Sequence, residues 1–123
     1  MRRRLNEVAL FTPQPKPLAE FYALVLDCSV PAGGHGEDAF NFDVEGVNLF
    51  IHHTDGSPPA PGWPEDVDHI AFEVEDLDAE CERLRAAGLV VNGPSDFPWG
   101  RIAWLLDPDG RQVEIHGPDI SYD

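Results

Sequence analysis

Between Leu5 and Phe11 polar and apolar positions alternate: Val8 and Leu10 fall on one face, Glu7, Ala9 and Phe11 on the other. That period of two predicts a half-buried strand. After Pro17, suited to the first turn of a helix, Leu18, Phe21, Tyr22 and Val25 recur at helical spacing and form one apolar stripe. Short strands are predicted at Cys28–Pro31, Ala39–Val44 and Val47–His53. The pattern then starts again. Val67–Val74 alternates with Ile70, Phe72 and Val74 on one face and His69, Ala71 and Glu73 on the other. Asp76 is placed to cap a helix that turns Leu77, Cys81 and Leu84 inward and stops at Gly88. Strands are predicted at Leu89–Val91, Arg101–Leu106 and Arg111–His116, the last two joined by Asp107-Pro108-Asp109-Gly110.

The second run repeats the first. A shift of 62 positions lays Asn6–Thr12 over Asp68–Val74 and Ala9 over Ala71; past the helices a shift of 64 matches Gly36 with Gly100, Phe40 with Trp104, Gly46 with Gly110, Ile51 with Ile115 and His52 with His116. A two-residue insertion accounts for the change. The fold class expected is α+β: two tandem βαβββ modules, their mixed sheets curled around a shared cleft and their helices on the outer face. The first repeat covers about 5–54 and the second about 67–118. Between them, about 55–66, four prolines and two glycines make a linker, and 1–123 forms a single domain.

Alternation also divides the faces. In the last strand Val113 and Ile115 point one way, and Gln112, Glu114 and His116 the other. In the strand before it Ile102, Trp104 and Leu106 are apolar, opposite Arg101 and Ala103. If the turn pairs Leu106 with Arg111, Ala103 faces Glu114 and Arg101 faces His116, placing both on the polar side. The inner face then carries Glu7, His69 and Glu114. One imidazole and two carboxylates suit a divalent cation with open coordination positions. On the residues alone, a solvated Glu7, a hydrogen-bonded His69 and an exposed Glu114 read equally well.

Composition narrows the classes. Eight Lys and Arg against 23 Asp and Glu give a net charge of −15, which repels phosphate backbones and anionic lipid, so neither nucleic acid nor membrane is an expected partner. No apolar run reaches the ~20 residues that span a bilayer, and MRRRLNEVALF lacks a signal peptide's apolar stretch, so a cytoplasmic location is expected. Cys28 and Cys81, with no CxxC, are expected as reduced, buried thiols.

LNEVALFT and EFYALVL, then VDHIAFEVEDLDAECERLRAAG and PWGRIAWLLDPDGRQVEIHGP, resemble the vicinal oxygen chelate superfamily, also known as the glyoxalase, bleomycin-resistance and dioxygenase family. The resemblance covers nearly all of Leu5 to Pro118. It implies paired βαβββ modules around a metal cleft, with Glu7, His69 and Glu114 as ligands of one divalent ion (Mn, Mg, Fe, Ni or Zn) and Glu7 or Glu114 as general base. It departs from the glyoxalase I pattern at Phe50, which stands where a further carboxylate ligand is usual; His52, two positions on, is a displaced substitute or a polar residue lining the cleft. His52, Phe50 and Arg101 are the expected substrate-pocket residues. His35 sits on a glycine-rich loop able to cover the cleft, and Trp63 and Trp99 flank the sheets. The implied function is metal-dependent lyase, isomerase or thiol-transferase chemistry on a small oxygen-rich molecule, in a homodimer. The alternatives are a metal-free, drug-binding protein of the bleomycin-resistance kind and an extradiol-type dioxygenase.

Overall fold

The computed structural model describes residues 2–31, 38–56 and 68–122. The loop carrying His35, and most of the linker with Trp63, lie outside them. The chain divides into two compact units, Met1–Pro59 and Ala60–Asp123, of α+β construction.

The first unit holds β1 (Glu7–Thr12), α1 (Pro15–Leu26), β2 (Ala39–Val44) and β3 (Val47–His53). Its sheet runs β1-β3-β2, with β1 parallel and β2 antiparallel to the central β3. Pro15 and Pro17 both lie in the first helical turn, where a missing N–H forfeits no intrahelical bond. The stripe Leu18, Phe21, Tyr22 and Val25 is buried, as are Leu10, Phe40, Phe42, Leu49 and Ile51 on one face of the sheet. Side chains fully buried in this way, such as Leu18 and Ile51, each contribute about 1.5–3 kcal/mol. Glu45 and Gly46, both at positive φ, form the tight two-residue turn between β2 and β3.

The second unit holds β4 (His69–Glu73), α2 (Leu77–Ala86), β5 (Asn92–Phe97), β6 (Gly100–Leu106) and β7 (Gln112–His116). Here the order is β4-β7-β6-β5, with β4 parallel to β7 and the other pairs antiparallel. Asp76 caps α2 by accepting from the Ala79 N–H at 3.1 Å. Gly88 at φ 94 closes the helix: its N–H bonds the Arg85 carbonyl and the Leu89 N–H reaches Leu84. Leu77, Cys81 and Leu84 are buried with Ala103, Leu105, Val113 and Ile115.

The registers bear out the duplication. Glu7 pairs with Asn48 in the first unit and His69 with Gln112 in the second, the second spacing being two residues longer. Ala9–Phe50 answers Ala71–Glu114, so Phe50 does occupy the place of Glu114.

Other expectations are corrected. Cys28–Pro31 forms no strand: Asp27 takes a left-handed conformation and the Cys28 N–H bonds the Ala23 carbonyl, spending these residues on the helix cap. Cys28 is exposed, and only Cys81 is buried; burial pushes the Cys81 thiol above its ordinary pKa. The strand expected at Leu89–Val91 lies instead at Asn92–Phe97, with a bulge between Asn92 and Ser95. The β6–β7 register is shifted by one residue. Leu106 pairs with Gln112, Trp104 with Glu114 and Ile102 with His116. The cause is local: the buried Asp107 carboxylate accepts from the N–H groups of Asp109 and Arg111, at 2.9 and 3.0 Å, and holds a five-residue loop. Trp104 is therefore the counterpart of Asn41 rather than of Phe40. Among the described residues no helix is long and apolar enough to cross a membrane.

Candidate functional site

Each sheet has one face buried with its helix; the opposite face is open in the first unit and only partly open in the second, where Gln112, His116 and Ile102 are buried. In the first unit the open face presents Glu7, Ala9 and Phe11 from β1, Asn48, Phe50 and His52 from β3, and Asn41 and Asp43 from β2. Glu7 is exposed and accepts from Asn48 Nδ2 at 3.2 Å; the same amide nitrogen donates to Asn41 Oδ1 at 2.9 Å. His52 shares its Nδ1 with the His53 carbonyl at 2.8 Å, and its ring lies 5.4 Å from Phe50 and 5.9 Å from Phe11. This end of the face is an aromatic shelf beside an acid–amide cluster.

In the second unit the open face carries His69, Ala71 and Glu73 from β4 and Gln112, Glu114 and His116 from β7. Parallel pairing sets His69 directly beside Gln112, and Ala71 on one side of Glu114 with Trp104 on the other. His69 Nε2 lies 3.2 Å from Glu114 Oε2. The carboxylate is held from two further directions: Gln112 Nε2 donates to Oε2 at 3.1 Å, and His116 Nε2 meets Oε1 at 2.8 Å. Glu114 and His116 keep only 16% and 11% of their side-chain surface, so these contacts are shielded from water, whereas His69 keeps 37% and faces outward.

Two metal ligands each about 2.0–2.2 Å from one ion stand about 3 Å apart. The His69–Glu114 separation matches that span, and the donors, an imidazole nitrogen and a carboxylate oxygen, are of the types a divalent ion takes. Among the described residues no group of three or more His, Cys, Asp or Glu side chains is arranged to hold a metal. The structure therefore pairs two of the three expected ligands; the third, Glu7, belongs to the first unit.

Arg101 is corrected. With the register shifted, it leaves the open face for the α2 side, where Asp78 on α2 takes its Nη2 at 2.8 Å and Asp96 on β5 its Nη1 at 2.9 Å. Those hydrogen bonds push its pKa above the ordinary guanidinium value. Trp99 stacks on Phe97 at the β5–β6 turn, their ring centroids 5.2 Å apart. Gln112 and His116 were visible only as polar positions of β7; what marks them is contact with Glu114. A cavity of about 520 Å³ in this unit is lined by Gly88, Leu89, Val90, Asn92, Trp104, Leu105 and Leu106, and neither His69 nor Glu114 borders it.

The family described as the Glyoxalase/Bleomycin resistance protein/Dioxygenase superfamily matches residues 4–115. The chain belongs to that superfamily. Glyoxalase-superfamily relatives differ in what they do. A lactoylglutathione lyase of Pseudomonas aeruginosa is 42% identical over 52 residues, a stretch that is 42% of this chain and 30% of the lyase. The chain spans well under half the length of the curated relatives it matches. Among solved structures, the oxidase ChaP-H2 is 26% identical over 98% of both chains with a TM-score of 0.72. An antibiotic binding protein from Streptomyces, 24% identical over 95% of this chain and 97% of that one, has a TM-score of 0.66.

Proposed function

We propose that this superfamily member is a divalent-metal-dependent enzyme acting on a small oxygen-rich molecule, by lyase, isomerase or thiol-transferase chemistry, with Glu7, His69 and Glu114 as metal ligands. The observation that carries the reading is the His69–Glu114 pair, two donors 3.2 Å apart on an open sheet face. The partial likeness to a lactoylglutathione lyase favours lyase chemistry among the three. A bound divalent ion supplies Lewis-acid polarisation of neighbouring substrate oxygens.

The residues divide the remaining work. Glu114, with both carboxylate oxygens already engaged by Gln112 and His116, is a fixed ligand. Glu7 is exposed and accepts from one amide, which leaves it the freer carboxylate to take a proton from substrate. His69 is half-exposed and presents its Nε2 beside the carboxylate. A homodimer belongs to the same reading.

A second reading, a metal-free small-molecule binder, draws on the lack of any three-donor group among the described residues. Metal analysis separates the two. Chelator-stripped protein is expected to take up about one equivalent of Mn²⁺ or Zn²⁺ per chain, and Glu7→Gln to weaken that uptake by about tenfold or more, as ligand or near-ligand losses do. No uptake by the wild-type chain favours the binder. Oxygen consumption on catechols by the iron-loaded protein favours the dioxygenase alternative.

A further inference from the structure

The His52 ring is half-buried on the open face of the first unit, and one of its nitrogens is already committed. Nδ1 lies 2.8 Å from the His53 carbonyl, which can only accept, so Nδ1 carries the proton. In the neutral imidazole that leaves Nε2 as the acceptor, and no described residue supplies it with a donor. Its neighbours across the sheet are Phe11 on β1 and Ala39 on β2, and Phe50 shares its face on β3; none has a polar side-chain group. The same neighbours form an aromatic cradle. The Phe11 and Phe50 ring centroids lie 5.9 and 5.4 Å from that of His52, and their planes are inclined to it by 55° and 45°. Phe11 is 49% exposed, and Ala9, the β1 neighbour of Phe50, is exposed and carries only a methyl. Inclined rings let a flat guest lie face-on to one and edge-on to another, the arrangements that aromatic pairs prefer. Glu7 and Asp43, both exposed on this face, disfavour an anionic guest.

We infer that this face binds an uncharged aromatic ring bearing a hydroxyl, the ring lying against Phe11 and Phe50 and the hydroxyl donating to His52 Nε2. Identifying that compound with the substrate rests on the function proposed above, but its recognition does not require the metal. The methyl ether of such a compound keeps the ring and sets carbon against Nε2, which is then left unpaired. A saturated alcohol keeps the donor and loses the contact between rings.

The test titrates 6-hydroxyquinoline, 6-methoxyquinoline and cyclohexanol into the wild-type chain, His52→Phe and Phe11→Leu, by calorimetry, with a chelator and again with Zn²⁺. The wild type is expected to bind 6-hydroxyquinoline about fivefold or more tighter than its ether, the weight of one net hydrogen bond, and tighter than cyclohexanol by a similar factor. In ¹⁵N-labelled wild type the His52 Nε2 resonance is expected to move with the hydroxyl compound. His52→Phe keeps a ring in place and is expected to bind both quinolines within about twofold. Phe11→Leu is expected to weaken both by about threefold or more and to keep their ratio. A merely structural His52 would alter both quinolines alike. Equal binding of the two quinolines by the wild type, no binding of either, or cyclohexanol bound as tightly as 6-hydroxyquinoline overturns the inference. So does an unmoved His52 Nε2, an undiminished ratio in His52→Phe, or undiminished affinity in Phe11→Leu. Failure of Zn²⁺ alone to bind overturns the metal centre instead, and the titration with chelator still decides the role of His52.

Discussion

Glu114→Gln is expected to lower the affinity for a divalent ion by about 100-fold or more while the chain stays folded, read by calorimetric titration with Mn²⁺ and checked by urea unfolding. The substitution keeps the size of the side chain but removes the charge an ion would meet. It also replaces one acceptor oxygen by an N–H₂, so the side chain can no longer accept from Gln112 and engage His116 as the carboxylate does. His116→Phe provides the scale. It leaves the carboxylate in place but frees Oε1, and a loss of about 10–100-fold is expected, the range typical when an outer partner of a ligand is removed. Affinity unchanged in both variants would mean that Glu114 does not bind the ion.

Asp107→Ala is expected to cost about 2–4 kcal/mol in urea unfolding, a large fraction of the stability of a domain this size. The Asp107 side chain is buried; its Oδ1 accepts from two backbone N–H groups and its Oδ2 meets Arg111 Nη1 at 3.4 Å. Removing it leaves those donors unpaired in the interior of the loop. Arg111 keeps its 2.9 Å contact with Asp109, which tempers the loss. The consequence reaches the site, because this loop sets the register that places Trp104 rather than Ala103 beside Glu114. Faster amide exchange in β6 and β7, together with weaker metal binding, is the expected companion of the lost stability; a variant as stable as the wild type would show that the loop does not depend on the carboxylate.

The parts of the fold governed by periodicity were legible from the chain alone. The stripe of α1, the Asp76 cap and the Gly88 stop depend on residues within a few positions of each other. The alternation in β1, β4 and β7 assigns Glu7, His69 and Glu114 to the open faces of their sheets. Features whose hydrogen bonds leave no signature in the sequence pattern were not legible. Asn92–Phe97 reads NGPSDF, with no alternation to signal a strand, and it is ordered by pairing with β6 around a bulge. The shift of β6 against β7 arises from one carboxylate bonding the backbone of its own loop, a choice that Asp-Pro-Asp-Gly does not advertise; with it, Arg101 moved from the open face to partners on α2 and β5. Gln112 and His116 were visible as polar positions, but their hold on Glu114 is a matter of contact distance that no spacing encodes.

Metal ligation by His69 can be read directly from the imidazole nitrogen resonances of ¹⁵N-labelled protein during a Zn²⁺ titration. The chain has five histidines, so each described one serves as an internal control for the others. The expected result is a large shift of His69 Nε2 that saturates near one equivalent, with His53 unmoved. An unchanged His69 while zinc remains free in solution, or a response confined to other histidines, would contradict a metal centre built on His69 and Glu114.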